Sequence, residues 1–376
     1  MSHLYSQAVK QAMEDGIYRT LPKLTLQGKY VVAEGHKMLN FCGNDYLGLA
    51  ADPNLASIFP FEEYRMGASS SRLLTGNDKI YTQFEEELAL AYGRNHTLLW
   101  DSGYHANSGL IPVLNIGNTL FLADRLVHAS MIDGLRLARA TFHRFRHNDV
   151  AHLEELLSKH AHLYDAVWIL TESVFSMDGD VAPLLEILAV KEQYPNTYIY
   201  VDEAHGVGVF GNSGLGVTEE LGIQHKVDVI VGTLGKAIGS VGAYTVLPEP
   251  LYQLAISKAR PLIYSTALPP VCVAWSRHVF RYMQQAHQLR KHLQSLEEVV
   301  SSALGIQVSS PIIPIIIPGE DACKEVAEHL CREGFYIRPI RKPTVPAGTE
   351  RIRISLSAAM THQEVQQFCN ILHSLR

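Results

Sequence analysis

Long apolar runs are absent from this chain of 376 residues. No stretch approaches the ~20 apolar residues that a membrane-spanning helix needs. The first segment, Met1–Gly16, carries Lys10, Glu14 and Asp15 and has no apolar core, which argues against a secretory signal peptide. We therefore expect a soluble, cytoplasmic protein that has no membrane partner.

Cysteine is scarce as well. The five cysteines include no C-x-x-C pair, so neither a zinc ribbon nor a disulfide framework is supported, and we interpret them as small buried apolar residues. An H-E-x-x-H zinc motif is also absent. One pair of histidines, His143 and His147, lies along an alternating segment typical of a strand, which favours a structural role over metal binding. We expect no metal.

A basic excess is missing too, since 32 Lys and Arg residues are mixed along the chain with 38 Asp and Glu residues, for a net charge of -6. This distribution offers no basic stripe to nucleic acid, but a local cluster of arginines for a small anionic substrate stays open. With 47% hydrophobic and 19% charged residues, the composition is that of a globular protein, long enough for a large and a smaller domain.

Between residues 98 and 247, short apolar runs rich in β-branched residues alternate with helical patterns. This alternation predicts an α/β fold with a mostly parallel sheet covered on both faces. Three of the runs end in acidic residues, so we expect the functional site at the carboxyl edge of the sheet. The predicted strands are Thr119–Asp124, Ala166–Glu172, Tyr198–Glu203, Val227–Thr233 and Ala243–Leu247.

The pattern changes after Pro270, where a long polar helix is predicted to about Ser302 with Arg290 on its outer face. From Pro311 onward the sequence predicts a smaller α+β unit. Its predicted elements are the strands Ile312–Ile317, Phe335–Arg338 and Arg351–Ser355, a helix over Glu320–Glu333 and a closing helix from Thr361. The expected division is an N-terminal segment (residues 1–43), a large α/β domain (44–269) and a C-terminal α+β domain (270–376).

Three familiar motifs occur only in part. Gly206–Gly211 reads G-x-G-x-x-G, but it continues into a loop instead of opening a helix, which disfavours a dinucleotide site. Thr233–Lys236 resembles the end of a P-loop but lacks the first glycine and the final Ser or Thr. Residues 211–215 lack the last glycine of a nucleophile elbow, so Ser213 is not a hydrolase candidate.

A stronger pattern joins Asp202 and His205, which follow one predicted strand, to Lys236, which follows the next. Adjacent strand ends bring a carboxylate, an imidazole and an amine together, and the apolar surroundings of Lys236 favour a neutral, nucleophilic amine. A Schiff-base lysine with an aspartate partner is the pairing of pyridoxal-phosphate (PLP) enzymes. The spacing alone leaves open that Asp202 and His205 cap a helix and that Lys236 lies on the surface.

Six segments, in order, resemble the α-oxoamine synthase family of fold-type I PLP enzymes, and the resemblance runs from about residue 40 to the C-terminus. It implies a large, mostly parallel sheet domain with a smaller C-terminal α+β domain, and a homodimer with a shared active site. The implied reaction joins an amino acid to an acyl thioester with loss of CO2. The segments are Asn44–Leu49, His128–Ser130, Thr171–Asp180, Val201–Gly208, Gly232–Lys236 and Ile263–Thr266.

The resemblance implies pyridoxal 5′-phosphate as the cofactor. Lys236 is expected to hold it as a Schiff base and to move the Cα proton of the substrate, and Asp202 is expected to pair with the pyridine nitrogen. His205 is expected to bond the ring hydroxyl, and His128 to stack on the ring face. Further cofactor contacts are implied for Gly103, Tyr104, Ser176, Thr233 and, from the neighbouring subunit, Thr266.

The same resemblance points to substrate residues. Asn44 and Arg353 are similar to the pair that binds the amino acid carboxylate, which a guanidinium can grip with two hydrogen bonds. Thr344 is expected beside that carboxylate, and Arg19 is a candidate contact for an acidic acyl chain, with a plain surface position as its alternative. Arg351 shares a strand face with Arg353 and is interpreted as solvated.

Residues 337–359 are most similar to the branch that joins L-alanine to a pimeloyl thioester, carried by coenzyme A or by an acyl carrier protein. Three features depart from that branch: Lys342, Met360 and residues 67–76, which contain a further candidate acyl contact, Arg72. Glycine or serine with another acyl chain therefore stays open. A protein of the same fold that binds without catalysis is the alternative class.

Overall fold

In a computed structural model, residues 2–375 of the chain are described. The strands are β1 (Thr25–Gln27), β2 (Tyr30–Ala33), β3 (His36–Asn40), β4 (His96–Trp100), β5 (Thr119–Asp124), β6 (Thr141–Phe145), β7 (Ala166–Glu172), β8 (Thr197–Asp202), β9 (Val229–Thr233), β10 (Ala243–Leu247), β11 (Ile312–Ile316), β12 (Phe335–Tyr336), β13 (Pro339–Ile340) and β14 (Arg351–Ser355).

The α-helices are α1 (Ser2–Glu14), α2 (Pro53–Ser57), α3 (Lys79–Ala91), α4 (Gly103–Leu114), α5 (Ala129–Leu137), α6 (Val150–His160), α7 (Leu184–Lys191), α8 (Val217–Glu220), α9 (Glu249–Lys258), α10 (Arg260–Tyr264), α11 (Pro270–Gln285), α12 (His287–Leu304), α13 (Glu320–Arg332) and α14 (His362–Ser374). Short 3-10 turns occupy Phe61–Glu63, Ala161–Leu163 and Gln224–Lys226, and a π-helical turn occupies Arg72–Gly76. Within residues 2–375, no helix is both long and apolar enough to cross a bilayer.

Seven strands form the central sheet, in the order β4, β10, β9, β8, β7, β5, β6. The strands from β9 to β6 are parallel, and β10 runs antiparallel to both of its neighbours. The expected mostly parallel sheet is therefore confirmed. β5, β7 and β10 have the predicted bounds, whereas β8 begins one residue earlier and β9 two residues later than predicted.

Polar residues end four neighbouring parallel strands of this sheet. Asp124 ends β5, Glu172 ends β7, Asp202 ends β8 and Thr233 ends β9. Glu172 and Asp202 are partners in the register of β7 and β8. The burial of the strands explains their continuous apolar sequence, and their carboxyl ends are where open α/β sheets bind ligands. These four residues therefore mark the edge at which a site is expected.

The chain divides into two units, one of residues 45–176 and 180–292 and one of residues 1–44, 177–179 and 293–376. The expected division differs at both ends. α11 packs on α3, with the rings of Phe280 and Phe84 centred 5.7 Å apart, so the first helix after residue 269 belongs to the larger unit. β3 pairs in parallel with β12, so the N-terminal segment is part of the smaller unit.

The smaller unit holds two short sheets, one in the order β1, β2, β3, β12 and one in the order β11, β14, β13. Its core includes Phe41 stacked on Phe368 of α14, with centroids 4.2 Å apart. The strand predicted over Phe335–Arg338 is wrong in part, because β12 ends at Tyr336 and β13 begins only at Pro339.

The long helix predicted after Pro270 is two helices, which break at Ala286. The break leaves carbonyl groups at the end of α11 without intrahelical donors, and Arg290 satisfies two of them. Its guanidinium donates to the carbonyl oxygens of Met283 at 2.7 Å and Gln284 at 3.4 Å. The predicted outer position of Arg290 is therefore wrong, since this side chain is buried as the cap of α11.

Candidate active site

Lys236 and His205 meet at the edge of the central sheet. Lys236 lies in the turn after β9, and its Nζ is 2.8 Å from Nε2 of His205, which follows β8. The other ring nitrogen of His205, Nδ1, is 2.6 Å from the hydroxyl of Tyr46. His205 and Tyr46 are buried and Lys236 is half-buried. The amine is thus held in a partly desolvated position, which suits a nucleophile.

Asp202 is fixed by two donors. The side-chain amide of Asn107, on α4, donates to its Oδ2 at 2.8 Å, and the backbone N–H of Ala204 donates to its Oδ1 at 2.9 Å. Asn107 is buried, and its own carbonyl oxygen accepts the hydroxyl of Tyr200 at 2.6 Å. These donors hold the carboxylate in one orientation, so it does not need to reorient when a cationic group binds to it.

His128 caps the N-terminus of α5, where its Nδ1 accepts the backbone N–H of Ser130 at 3.3 Å. The hydroxyl of Ser130 is 2.8 Å from the same nitrogen and accepts from Asn107 at 3.0 Å. Burial lowers the pKa of His128 below its ordinary value, more than the charge of Asp202 raises it, and Lys236 adds to the decrease. The imidazole is therefore neutral at pH 7, a state that is compatible with stacking on a flat aromatic ligand.

Glu172 lies beside Asp202 and is fully buried. Its Oε1 accepts the backbone N–H of His128 at 2.6 Å. Burial raises the pKa of the Glu172 carboxyl well above its ordinary value, and the charge of Asp202 adds to the rise. Of the two neighbouring carboxyls, Asp202 is the one with two fixed donors, so we assign it the negative charge and Glu172 the proton.

The remaining predicted cofactor residues also lie in the larger unit. Gly103 and Tyr104 open α4, where the Ser102 hydroxyl accepts the N–H of His105 at 3.1 Å. The first N–H groups of a helix have no acceptor within the helix and can donate to an anion. The Tyr104 hydroxyl donates to Asp133. Thr233 ends β9 with its hydroxyl 3.4 Å from the N–H of Gly235, Ser176 is half-buried after β7, and Thr266 is exposed after α10.

The glycine motif Gly206–Gly211 has a packing role. The chain remains a loop until α8 begins at Val217. The motif therefore opens no helix, as predicted when a dinucleotide site was disfavoured. Gly208 has a φ of +83°, and a Cβ on it would lie 2.5 Å from the Cβ of Ala237, next to Lys236. The glycine therefore permits the loop to lie against the segment that carries the lysine.

The predicted substrate residues lie in the smaller unit. Arg353, on β14, donates to the side-chain oxygen of Asn44 at 3.2 Å. Arg19 donates to the hydroxyl of Thr344 at 3.0 Å, and both line a cavity of about 410 Å³. The solvated interpretation of Arg351 is wrong, because this side chain is buried and pairs with Asp178 at 2.6 Å.

Arg72, the other candidate acyl contact, lies in the larger unit with its guanidinium occupied. Two of its nitrogens bond the two carboxylate oxygens of Glu85, at 2.7 and 2.9 Å, and a third bonds Asn77 at 2.8 Å. The aromatic ring of Tyr81 covers its face at 4.4 Å. This geometry gives Arg72 a structural position.

Several residues of the site were not singled out from the sequence. Tyr46 and Ser130 lie inside segments that carried the family resemblance, but neither was given a role. Glu172 was noted only as a strand end, and Asn107 lies within an apolar helix where one buried amide gives no periodic signal. Only the fold shows that the amide of Asn107 faces Asp202.

The residues present fit PLP. A carboxylate with fixed donors suits a protonated pyridine nitrogen, an amine within reach of an imidazole suits a Schiff base, and a helix N-terminus suits a phosphate. No group of three or more His, Cys, Asp or Glu side chains within the described part of the chain could hold a metal ion. Of the two histidines considered for metal binding, His143 stacks on His160 at 4.8 Å.

Known proteins resemble this chain over most of its length. The family model "Aminotransferase class I and II" matches residues 36–372. A protein of Neisseria meningitidis serogroup A named 8-amino-7-oxononanoate synthase is 48% identical over 98% of this chain and 100% of its own length. A protein of Haemophilus influenzae with the same name is 47% identical, over 97% of this chain and 98% of its own length.

Solved structures show the same fold. A serine palmitoyltransferase from Sphingomonas wittichii has a TM-score of 0.90 at 30% identity, covering 100% of this chain and 96% of that one. A serine palmitoyltransferase from S. paucimobilis, solved with bound PLP-myriocin aldimine, has a TM-score of 0.89 at 28% identity, with coverages of 99% and 96%. The 8-amino-7-oxononanoate synthase of Francisella tularensis has a TM-score of 0.77 at 27% identity, with coverages of 90% and 97%. The chain belongs to the class I and II aminotransferase family, it has the fold-type I architecture of these PLP enzymes, and two relatives that it matches over their full length are named 8-amino-7-oxononanoate synthase.

Proposed function

We propose that the protein is a cytoplasmic, PLP-dependent acyltransferase that condenses L-alanine with a pimeloyl thioester to give 8-amino-7-oxononanoate in biotin biosynthesis. The observation that carries the proposal is the meeting of Lys236, His205 and Asp202 at one sheet edge, in a chain 48% identical to a protein named for this reaction. The acyl carrier, coenzyme A or acyl carrier protein, leaves as a free thiol. The carboxylate of alanine leaves as CO2, and the carboxylate of the pimeloyl chain is kept.

PLP, when bound, supplies an electron sink that stabilises a negative charge at Cα of the amino acid. The protein residues hold the charges and protons around it. The fixed carboxylate of Asp202 would keep the pyridine nitrogen protonated, and His205 would bond the ring hydroxyl. Lys236 would take the Cα proton of the substrate, a step for which its half-buried amine, 2.8 Å from Nε2 of His205, is placed.

The amino acid carboxylate would be bound by Arg353 and Asn44. The Arg353 guanidinium is mostly buried on β14 and contacts the Asn44 amide, so the two polar groups are already arranged side by side. A planar guanidinium bonds a carboxylate through two parallel hydrogen bonds, which also fixes the direction of the Cα–H bond.

The acyl chain would be received by the cavity that Arg19 and Thr344 line. Its wall also carries Arg338, Arg341 and Lys342, of which Arg341 pairs with Glu320 at 3.6 Å. Among residues 2–375, no acidic side chain lines the cavity itself. A cationic wall favours an acyl chain that ends in a carboxylate, as pimeloyl does, over a purely apolar chain such as palmitoyl. Lys342, a departure from the sequence pattern of this branch, therefore adds charge of the sign that an acidic chain needs.

Thr266 supports a homodimer with a shared site. It is exposed in the isolated chain, and the side chains of Tyr264 and Leu74 near this segment of the larger unit are 71% and 79% exposed. Large apolar side chains exposed to this extent are typical of a contact surface. A second copy of the chain would cover them and bring its Thr266 to the neighbouring cofactor.

The test is a panel of L-alanine, glycine and L-serine against pimeloyl, acetyl, succinyl and palmitoyl thioesters, each supplied on coenzyme A and on acyl carrier protein. We expect the highest kcat/KM for L-alanine with the pimeloyl thioester, and 8-amino-7-oxononanoate as the product by mass spectrometry. Preference for serine with palmitoyl, or for glycine with a short chain, would overturn the substrates and leave an acyltransferase. A protein that binds PLP but turns over no pair would be a binding protein of the same fold.

A further inference from the structure

His147 lies between two carboxylates that come from two different segments. Its Nδ1 is 2.9 Å from Oδ1 of Asp124, and its Nε2 is 2.7 Å from Oδ2 of Asp180. The next residue, Asn148, bonds the same two groups, with its backbone N–H on Oδ2 of Asp124 at 2.8 Å and its side-chain amide on Oδ2 of Asp180 at 2.7 Å. Four hydrogen bonds from two adjacent residues therefore join the two carboxylates.

The first carboxylate controls the turn that leads to His128. Asp124 is fully buried at the end of β5, where its Oδ1 also accepts the N–H of Leu126 at 2.7 Å. Its backbone oxygen accepts the N–H of Val127 at 3.3 Å. Both bonds shape the chain immediately before His128, so the direction in which that residue enters the site depends on Asp124.

The second carboxylate belongs to Asp180, whose backbone closes the hairpin that carries Ser176. The backbone oxygen of Asp180 accepts the N–H of Phe175 at 3.0 Å, and Val174 and Val181 form a bridge next to it. The imidazole of His147 meets the Phe175 ring edge to face, with centroids 4.4 Å apart. His147 thus contacts both sides of the hairpin, next to Ser176.

The imidazole in this position carries a positive charge. Both ring nitrogens face carboxylate oxygens, and only the doubly protonated ring can donate to both. Burial lowers the pKa of His147, but the hydrogen bonds that the ring donates to Asp124 and Asp180 outweigh burial and raise the pKa to about 10. A cation between two anions is held more firmly than a neutral ring.

We propose that His147 and Asn148 are positioning residues of the cofactor site, which hold the His128 turn and the Ser176 hairpin at a fixed separation. This inference rests on the proposed binding of PLP between those segments. Neither residue touches the reacting atoms. Their effect is on the geometry with which His128 and Ser176 meet the ring.

The test compares holoenzymes of His147→Gln, Asn148→Gly and His152→Gln. Glutamine is neutral and does not have the two opposed N–H donors of the imidazolium ring, so His147→Gln loses the charge and at least one bond. Asn148→Gly keeps the backbone N–H and suits the φ of +50° at this position, so of the two bonds from Asn148 to the carboxylates it loses only the one to Asp180. His152→Gln makes the same chemical change at a half-buried histidine that bonds the N–H of Arg146 and neither carboxylate, and is the control.

The readouts are the apparent dissociation constant for PLP by equilibrium dialysis, the circular dichroism of the bound cofactor, and the separate values of kcat and KM. We expect His147→Gln to weaken PLP binding about tenfold or more and to change the dichroism of the bound ring, with lower kcat and an unchanged KM for the amino acid. Asn148→Gly should change the same quantities in the same direction by less.

If His147→Gln has the same dissociation constant for PLP and the same dichroism as the wild type, the inference is overturned, whatever the change in thermal stability. If His147→Gln does not fold, Asn148→Gly decides the question alone, and wild-type values there would equally overturn it. A wild-type protein that binds no PLP would instead contradict the proposed function. The two failures are therefore distinguishable.

Discussion

The side-chain amide of Asn107 donates to the carboxylate of Asp202 at 2.8 Å, across 95 residues of sequence. The same amide nitrogen donates its second hydrogen to Ser130, and its oxygen accepts from Tyr200. Every hydrogen-bonding group of this buried amide is therefore used. Asn107 sets the orientation of the carboxylate that the proposed reaction places against the pyridine nitrogen.

Asn107→Leu should lower kcat/KM by roughly 10- to 100-fold, because a misdirected carboxylate loses much of its electrostatic effect on the ring. The leucine also leaves the Tyr200 hydroxyl without its acceptor. Tyr200→Phe is the matched control, since it removes that hydroxyl and keeps the Asn107 bond to Asp202, and we expect a smaller loss. Steady-state kinetics and PLP titration of both variants measure the difference. Wild-type turnover in Asn107→Leu would show that Asp202 needs no such support.

Glu172→Gln should stabilise the cofactor-free protein above pH 5 and have no effect near pH 4. The folded pKa of Glu172 is raised above its ordinary value of 4.5, so its contribution to stability is fully present below that value and is lost as the pH rises. At pH 7 the cost is at most roughly 3 kcal/mol, the free energy of protonating a carboxyl of ordinary pKa. Glutamine is already neutral and keeps an oxygen for the N–H of His128.

Urea unfolding of wild type and Glu172→Gln at pH 4, 6 and 8 measures this effect, because the free energy of unfolding is obtained separately at each pH. We expect the two curves to coincide at pH 4 and to separate progressively toward pH 8. Glu172→Asp keeps the ionisable group and serves as the control for the charge. A destabilised Glu172→Gln at pH 8 would mean that the carboxyl is ionised in the folded protein.

Much of the sheet could be predicted from the sequence, since continuous apolar runs are what strands buried on both faces require. β5, β7 and β10 have the predicted bounds for that reason. The adjacency of Lys236 and His205 was also predictable, because parallel strands place their carboxyl ends together. The periodic pattern did not predict the break at Ala286, because the amphipathic pattern is continuous and the break depends on the backbone conformation of one residue.

The supporting polar residues of the site could not be predicted from the sequence. Asn107, Glu172 and His147 act through contacts across 23 to 95 residues, and nothing in their local sequence shows which groups they contact. Arg72 shows the opposite difficulty. An arginine that seemed available for an anionic substrate already has its partner in Glu85, 13 residues away.

The Arg72–Glu85 pair should stabilise the larger unit without affecting the acyl substrate. The two side chains are 12% and 10% exposed, so removing one partner leaves a poorly solvated charge and should cost about 3–5 kcal/mol. We expect Arg72→Met and Glu85→Gln each to lower the free energy of unfolding, and the double variant to lose less than their sum. KM for the acyl thioester should stay at the wild-type value.

Urea unfolding of the two single variants and the double variant completes the cycle. Lys10→Met is the control, because Lys10 and Glu14 form an exposed pair on α1, for which we expect at most about 1 kcal/mol. An increase in KM for the acyl thioester in Arg72→Met, at unchanged stability, would restore Arg72 as an acyl contact.

Thr266 provides the test of a shared active site, because two inactive variants should restore activity when they form mixed dimers. Lys236→Ala removes the amine, and Thr266→Asp places a negative charge where the phosphate of PLP is expected, at an exposed position that tolerates the change in folding. In a mixed dimer, one site would combine the intact Lys236 of one chain with the intact Thr266 of the other. Random exchange of subunits should then give about a quarter of the wild-type activity.

Sedimentation should first show a particle of twice the 41.8 kDa chain, and differently tagged chains should confirm that mixed dimers form. Mixed dimers without activity would place Thr266 in the site of its own chain, and an active monomer would exclude the shared site altogether.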